Sequence, residues 1–464
     1  MKKRFLTLLL ILPMLAFCTE KPAPEPDKQE QEGDDKEGKD DKDKDTDTDE
    51  DADLYADAAP ELKSGDVVQA TNPIVEKFLN EVNYTDHTCT ESTKVMDYYG
   101  GFNGKAYNEN GELDPNGTVL DWTTAAYASH KGIWPDGDKP MKYSIRWKKA
   151  DLGDDTGKLN LHLEDKLGWK GDLEVAAGSV YAEITNLVPN DDYTYKVTTA
   201  SGKTVAQGTF KTKASSTLHQ CFFTGSTKKS EAKSYQAGGA RNCRDLGGWK
   251  TLDGKTIKYR KVYRGGRLNE KWTPYPLNKT GEKEVLFEGI AAELDLRGHS
   301  DVMTTPAVQG LDHCAPVIEQ GGKTMLVSDA AKTKECFEFI VKCVRENKPV
   351  HVHCSLGRDR TGTLGILLMG LLGVREGDIA KEYELTYFAP VGYCVSSSDK
   401  ESNPGPLFKN PRMAWVYSDV VPYFWSLADT QEPAGFAHGV EKYLKDVAGV
   451  AQKDIDDFRS LMLE

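Results

Sequence analysis

One ten-residue stretch of the chain combines the residue types of a nucleophilic loop around an anion. Residues 353–362, here called the phosphate loop, read His-Cys-Ser-Leu-Gly-Arg-Asp-Arg-Thr-Gly. Apolar residues precede this loop at Val350 and Val352, and a second apolar run follows it over 364–372. The order strand, loop, helix points backbone N–H groups and a helix N-terminus at one place, where they bind a phosphate. The same field favours a thiolate, so the pattern predicts Cys354 as a nucleophile aimed at phosphorus.

Such a loop also needs a cation to bind the phosphate oxygens, and Arg360, six positions after Cys354, can supply it. On a loop that curls around an anion, its guanidinium fork can return to the equatorial oxygens of a phosphate. Its charge would stabilise a transition state that spreads negative charge over those oxygens. The predicted phosphate contacts are Ser355, Leu356, Gly357, Arg358, Asp359 and Arg360.

Three further loop residues have predicted supporting roles. Thr361 could donate its hydroxyl to the departing thiolate of Cys354, His353 would hold the loop by hydrogen bonds, and Gly362 would allow close helix packing. Because the loop amides and Arg360 supply the positive field, we expect neither a metal nor a cofactor. The alternative reading is a buried structural thiol, but the complete set of residues in register favours the functional one.

The elements around this loop alternate between strands and helices, which predicts an α/β domain with a central, mostly parallel sheet over residues 215–464. The predicted strands cover 256–263, 291–296, 314–318 and 349–353. The predicted helices cover 330–346, 361–372, 376–385, 411–427, 439–447 and 452–462.

The preceding residues, 139–214, predict an all-β unit because apolar and polar residues alternate strictly in several runs. A segment that begins at Ile184 places Leu187, Pro189 and Tyr193 in the order typical of a β-sandwich corner, and it resembles the fibronectin type III pattern. Residues 54–138 are less informative. They predict either a small domain of unknown fold or an elaboration of the β unit, with a helix after Pro73.

The amino-terminal residues predict export. Three basic residues at positions 2–4 precede an apolar stretch, 5–17, that is too short to span a membrane as a helix. The stretch ends in Leu-Ala-Phe-Cys, which resembles a lipobox with Cys18 as the acylated residue. Residues 1–18 are therefore interpreted as a lipoprotein signal peptide, and the protein as lipid-anchored at the outer membrane or cell surface of a bacterium. Simple secretion or an uncleaved anchor are the alternatives.

The net charge of −14 is concentrated in one segment. Residues 20–53 hold 17 acidic and six basic side chains and almost nothing apolar, so 19–53 should form a disordered acidic linker. The remaining chain is only mildly acidic and has no basic stripe, which argues against a nucleic-acid partner. The nine cysteines show no spacing of a disulfide framework or a metal site, and no disulfide is assigned.

The phosphate loop resembles the signature of the protein tyrosine phosphatase superfamily, and within it the bacterial tyrosine phosphatase family 3 of atypical protein-tyrosine and phosphoinositide phosphatases. Four more stretches are similar to motifs of that family, at 241–248, 262–268, 293–297 and 373–384. Three features differ from it. Arg358 replaces a Lys, Gly265 replaces a Ser, and 391–410 resembles an insertion near the site.

The proton donor for the leaving group is predicted among carboxyl groups. Asp359 lies inside the loop, and Asp295 ends a strand at the edge where α/β sheets bind ligands. The resemblance implies both positions without choosing between them, and a salt bridge with Arg297 is the alternative for Asp295. A Trp-Pro-Asp sequence at 134–136 is interpreted as an ordinary turn, because it precedes the fibronectin-like unit.

These observations predict a cysteine-dependent phosphatase that acts on phosphomonoesters through a phospho-cysteine intermediate. The resemblance implies phosphotyrosyl proteins, phosphoinositides or inositol phosphates as substrates, and Arg358 beside Arg360 would favour a second negative group. The alternative is a catalytically silent surface protein that binds phosphate. Sulfur transfer and arsenate reduction have less support, because they do not require the pattern from Gly357 to Thr361.

Overall fold

The computed structural model describes residues 62–70, 73–87, 140–225, 239–269, 277–388 and 414–464, all within the compact unit Ala58–Glu464. The first elements are α1 (Pro73–Glu81), α2 (Lys149–Leu152) and the strands β1 (Asp66–Gln69), β2 (Tyr143–Arg146), β3 (Leu159–Asp165), β4 (Lys170–Val175), β5 (Tyr181–Ile184), β6 (Asp192–Thr198) and β7 (Thr204–Lys213). The predicted signal peptide with Cys18, the predicted acidic linker, the Trp-Pro-Asp sequence and the predicted insertion lie outside the described residues.

Two sheets form from these strands. Five strands have the order β1-β7-β6-β3-β4, with β1 parallel to β7 and the other pairs antiparallel, while β2 pairs with β5 alone. Both sheets bury alternate side chains in one hydrophobic cluster, as period-2 strands do. At its corner, Tyr193 stacks on Phe210 with ring centroids 4.9 Å apart and accepts a 2.8 Å hydrogen bond from the Val188 N–H. The fibronectin type III assignment stays a prediction.

The segment 62–87 contacts both halves of the structure. Its strand β1 extends the five-stranded sheet, whereas Val75 and Phe78 of α1 pack into the hydrophobic core of the carboxy-terminal half. Tyr84 donates a hydrogen bond to Glu384, 300 residues further along the chain. These described parts of 54–138 therefore connect the two halves.

The carboxy-terminal half is built on a six-stranded sheet. Its strands are β8 (Gln220–Thr224), β9 (Gly239–Asp245), β10 (Val262–Gly265), β11 (Ala292–Asp295), β12 (Asp312–Cys314) and β13 (Val350–His353). The order is β12-β11-β13-β10-β9-β8, and the pairs from β12 to β10 are parallel. The predicted mixed α/β architecture with mostly parallel strands is confirmed for this half.

Helices cover this sheet. They are α3 (Lys279–Phe287), α4 (Gly322–Val327), α5 (Ala330–Arg345), α6 (Arg360–Leu371), α7 (Glu376–Glu384), α8 (Ala414–Leu427), α9 (Gly435–Lys442) and α10 (Gln452–Met462). Helix α6 is apolar, and all its residues after Arg360 are buried. This burial fixes the amino-terminal end of the helix against the sheet. Within the ranges given above, no helix is both long and apolar enough to cross a membrane.

The strand predicted over 256–263 is wrong for most of its length, because β10 begins only at Val262. Arg260 has φ = 58°, a left-handed conformation that cannot continue a strand. Tertiary contacts hold it there. Its guanidinium contacts Asp165 (Nε to Oδ2, 3.1 Å) and Glu288, and lies 4.1 Å from the ring centre of Trp169. Arg260 thus joins the five-stranded sheet to the six-stranded one through buried charges.

We predict that Arg260→Met lowers the free energy of unfolding by about 3–5 kcal/mol, because it leaves two buried carboxylates without their cation. Lys142→Met is the control. Its ion pair with Glu183 is on the surface, with the two side chains 55% and 48% exposed, so its loss should cost less than about 1 kcal/mol. Urea denaturation of both variants measures the difference, and equal losses would contradict the linking role of Arg260.

Candidate active site at the end of β13

The phosphate loop starts where β13 ends, between β11 and β10 in the middle of the parallel strands. The carboxyl ends of such strands are where α/β sheets bind ligands. Cys354 follows β13 directly and is 3% exposed, and α6 begins at Arg360. The structure thus has the predicted order of strand, loop and helix N-terminus around the thiol.

Two glycines allow the loop to approach its neighbour strand. Gly357 has φ = 70°, and a Cβ there would lie 2.3 Å from the carbonyl carbon of Gly265. A Cβ on Gly265 would in turn lie 2.9 Å from Cε1 of His351 and 3.0 Å from Cα of Cys243. A side chain at position 357 would push the loop away from β10, whereas one at position 265 would press on His351 of β13 and Cys243 of β9. The close packing of β10 with its neighbours thus fits the Gly265 that differs from the resembling family.

A buried ionic cluster, here called the Glu382 clamp, holds the loop from behind. Glu382 accepts hydrogen bonds from Arg244 Nε (2.7 Å) and from Arg264 Nη1 (2.8 Å). The second arm of Arg264 donates to the Gly357 carbonyl oxygen. Asn242, with φ = 55°, donates from Nδ2 to the carbonyl oxygens of Leu356 (3.1 Å) and Gly357 (3.3 Å). With their carbonyls held outward, the loop amides are left to face the centre of the loop.

The electrostatics of this loop favour a thiolate. Burial alone would raise the pKa of the Cys354 thiol, but the Arg360 charge, with smaller contributions from the nearby hydroxyl and N–H of Thr361, outweighs it and lowers the pKa. The Thr361 hydroxyl is buried and forms no regular hydrogen bond with any described residue. It is thus available to a departing thiolate.

Arg360 lies beside the loop with one arm engaged. Its Nη1 donates to the Ile318 carbonyl oxygen at 2.9 Å. The turn that follows Ile318 is attached to α6, the helix that begins at Arg360, because the Gly322 N–H donates to the Thr363 hydroxyl at 2.7 Å. A carbonyl oxygen is a neutral partner, so a phosphate can replace it and gain a charged bidentate contact.

The two candidate acids lie in different surroundings. Asp359 forms a two-point ion pair with Arg358 (2.9 and 3.1 Å), and its side chain is 23% exposed. Asp295 is fully buried and held by Arg297 (2.9 and 2.8 Å). Although burial raises it, the charges of His353 and Arg297 bring the pKa of Asp295 down to about 2.

His353 supports the loop as expected from its position. Its Nε2 lies 2.8 Å from Glu293 Oε1 and its Nδ1 lies 3.2 Å from the Cys354 carbonyl oxygen, with the ring fully buried. Gly362 packs closely against Tyr383, since a Cβ there would lie 2.3 Å from the ring carbon Cε2. The loop is therefore held from the strand side and from the helix side.

Sequence reasoning did not assign roles to several residues that hold the loop. Asn242, Arg264 and Asp301 contact it directly, and Asp301 accepts a hydrogen bond from the Ser355 hydroxyl. Thr386 and Glu382 act one step away, by accepting from Asn242 and Arg264. Asn242, Arg264 and Glu382 stand in stretches that resemble family motifs, and this was the available signal. Asp301 carried none, because it lies outside those stretches and its contact with Ser355 bridges distant parts of the chain.

Among the described residues, one group could present metal ligands, namely His219, Cys221 and Glu288. It lies away from the loop, on β8 and at the end of α3. Its polar atoms already have partners. His219 contacts Asp245 Oδ2 at 3.2 Å, and Glu288 accepts from Tyr263 at 2.7 Å.

We predict that Glu382→Gln lowers kcat/KM for phosphate-ester hydrolysis by about 10²-fold, because a small displacement of positioned groups has effects of this size. The amide keeps the shape but leaves two buried arginines without their carboxylate. Glu432→Gln, on an exposed residue, should leave the rate unchanged. Steady-state kinetics with an aryl phosphate tests the pair. A Glu382 variant with unchanged kinetics would mean that the clamp does not shape the loop.

Comparison with known proteins agrees with this geometry. A protein of Cupriavidus necator named "Putative tyrosine-protein phosphatase" is 25% identical over 166 residues, which cover 31% of this chain and 59% of that protein. The chain thus covers less than two thirds of this relative. Residues 235–464, the part of the chain that carries the phosphate loop, match the model described as "Tyrosine phosphatase family".

Proposed function

We propose that the protein is a cysteine-dependent phosphatase that hydrolyses phosphomonoesters through a phospho-Cys354 intermediate. The observation that carries this proposal is the position of a buried thiol, directly after β13 and six residues before α6 begins at Arg360. The Arg360 charge and Thr361 lower the pKa of this thiol against the effect of burial, which is the condition for a thiolate nucleophile. The family match over 235–464 supports the same reaction class.

The reaction consists of two in-line displacements at phosphorus. The Cys354 thiolate forms the S–P bond while the P–O bond to the leaving group breaks, and the leaving oxygen takes a proton from a carboxyl group. Arg360 exchanges the Ile318 carbonyl for the equatorial phosphate oxygens. A water molecule then attacks phosphorus and gives a proton to the same carboxylate, while the S–P bond breaks and inorganic phosphate is formed. The Thr361 hydroxyl donates a hydrogen bond to the thiolate that leaves.

We assign the proton transfer to Asp359. Its carboxyl is within the loop and partly exposed, so a leaving group can reach it, whereas Asp295 has no exposed surface. Asp295 is also held by two hydrogen bonds from the Arg297 side chain, and the charges of His353 and Arg297 lower its pKa to about 2. Its role in this proposal is structural, at the end of β11.

The substrate classes proposed are phosphotyrosyl proteins and phosphoinositides or inositol phosphates. Support for a second anionic group on the substrate comes from Arg358, next to Arg360 in the loop. The proposed location is the bacterial cell envelope, with the chain attached through a lipid on Cys18, and it rests on the amino-terminal sequence alone.

We expect phosphate release in the presence of EDTA from at least one of three substrates: a phosphotyrosyl peptide, a phosphoinositide or an inositol phosphate. Cys354→Ser should lower that rate by at least about 10³-fold, because it removes the nucleophile. Cys336→Ser is the control for a buried cysteine away from the loop. A folded wild type that is inactive on all three substrates would favour the phosphate-binding surface protein instead.

We also expect the two carboxyl groups to separate kinetically. Asp359→Asn should lower kcat by about 10²–10⁴-fold for alkyl phosphates and much less for p-nitrophenyl phosphate, whose leaving group needs no proton. Asp295→Asn should instead act on stability. Because the Asp295 pKa falls from 3.8 to about 2 on folding, its contribution is present above pH 3.8 and is lost as pH falls through about 2.

The measurements are a leaving-group series for kcat and acid denaturation monitored by circular dichroism. The Asp295 variant should lack the part of the acid transition between pH 3.8 and about 2 that the wild type shows. A leaving-group dependence in the Asp295 variant, and none in the Asp359 variant, would reverse the assignment.

A further inference from the structure

A cavity lies at the amino-terminal ends of the parallel strands β10 and β13, whereas the phosphate loop lies at their carboxyl ends. Its volume is about 470 Å³, within the range of roughly 300–1,000 Å³ that is usual for small-molecule sites. Lys261 and Pro349, which directly precede β10 and β13, form one wall. Leu167, Gly168 and Trp169, between β3 and β4, form the other. At about 3.3 Å per residue, β13 separates this cavity from Cys354 by roughly 13 Å.

The lining is rich in cations. It includes Lys170, Lys258, Arg260 and Lys261, against the exposed acidic residue Glu464. Arg260 and Lys170 are neutralised by carboxylates, since Arg260 contacts Asp165 and Glu288 and Lys170 contacts Glu164 at 2.7 Å. The two remaining lysines determine what the cavity can bind.

Lys258 and Lys261 are held by neutral oxygens. The Lys258 ammonium donates to the Leu461 carbonyl at 3.0 Å, and that of Lys261 donates to Asn347 Oδ1 at 2.5 Å. Over the part of the chain that the structure describes, neither lysine forms an ion pair. Because an ammonium group has three donors, each keeps hydrogen-bonding capacity for another acceptor.

The two charges also oppose each other. Burial, followed by the Lys258 charge, lowers the pKa of Lys261. Both side chains are half-buried, so solvent screens this repulsion less than at an open surface. An anion that contacts both ammonium groups would attract each of them and so offset their mutual repulsion.

We propose that this cavity is a binding site for a small phosphate-bearing ligand, held by Lys258 and Lys261 and independent of the phosphate loop. The walls come from both sheets, around the Arg260 contact with Trp169. A ligand here therefore binds across the junction of the two halves and stabilises the folded chain. Its charge recognition uses two point-like ammonium groups, whereas the loop uses amides and a guanidinium fork.

The test measures melting temperature against inorganic phosphate. Arg360→Gln serves as the background, because it weakens binding at the loop. Phosphate at millimolar concentration should raise the melting temperature of this variant in a saturable manner, as expected of a ligand that binds only the folded state. Adding Lys258→Gln and Lys261→Gln should abolish the rise. Adding Lys148→Gln and Lys149→Gln, which removes two exposed charges, should leave the rise intact.

Three outcomes would overturn the proposal. They are a rise that survives the loss of Lys258 and Lys261, the absence of any rise in the folded Arg360→Gln variant, and an equal rise with sodium chloride at matched ionic strength. Citrate as a second probe tests the phosphate assignment, and a larger rise with citrate than with phosphate would overturn it. If the triple variant does not fold, each lysine variant alone in the same background should at least halve the rise.

Discussion

The geometry of the site depends on one buried carboxylate that two arginines share. Glu382, on α7, receives both Arg244 from β9 and Arg264 from β10, and none of the three has appreciable contact with solvent. Burying three charges is costly unless each is paired and hydrogen-bonded. The cluster also positions the phosphate loop, because the second arm of Arg264 and the side-chain amide of Asn242 donate hydrogen bonds to loop carbonyl oxygens. The anion-binding face of the loop is thus preformed before any ligand arrives.

The same physical scheme appears at the junction of the two halves of the structure. Arg260 is held among Asp165, Glu288 and Trp169, in a left-handed backbone conformation that a strand would not adopt. Both clusters pair buried guanidinium groups with carboxylates that come from other elements. A planar fork with several fixed donors suits this task, since it can satisfy partners in different directions at once. Local strand propensity over 256–261 was overridden by these tertiary contacts.

The sequence was most informative where chemistry is local. Cys354, Arg360 and Thr361 lie within eight residues, and their spacing predicted the loop and its neighbouring elements. Helix α10, over Gln452–Met462, matched its prediction at both ends because its apolar residues repeat at the helical period. The contacts of Glu382 and Asp301 could not be predicted, because their partners are brought together only by the fold. The choice between Asp295 and Asp359 likewise required burial, which no spacing reveals.

The segment 62–87 has a consequence for how the chain reaches its native state. Strand β1 pairs with β7 about 140 positions later, and Tyr84 donates its hydrogen bond to Glu384, 300 positions away. Contacts at such separations carry a large loop-closure entropy before they contribute any stabilisation. Folding should accordingly be slow and should finish with the docking of segment 62–87. Until then, the apolar surfaces that this segment covers stay exposed to solvent. Aggregation during refolding is the expected consequence of leaving these surfaces uncovered until the last step.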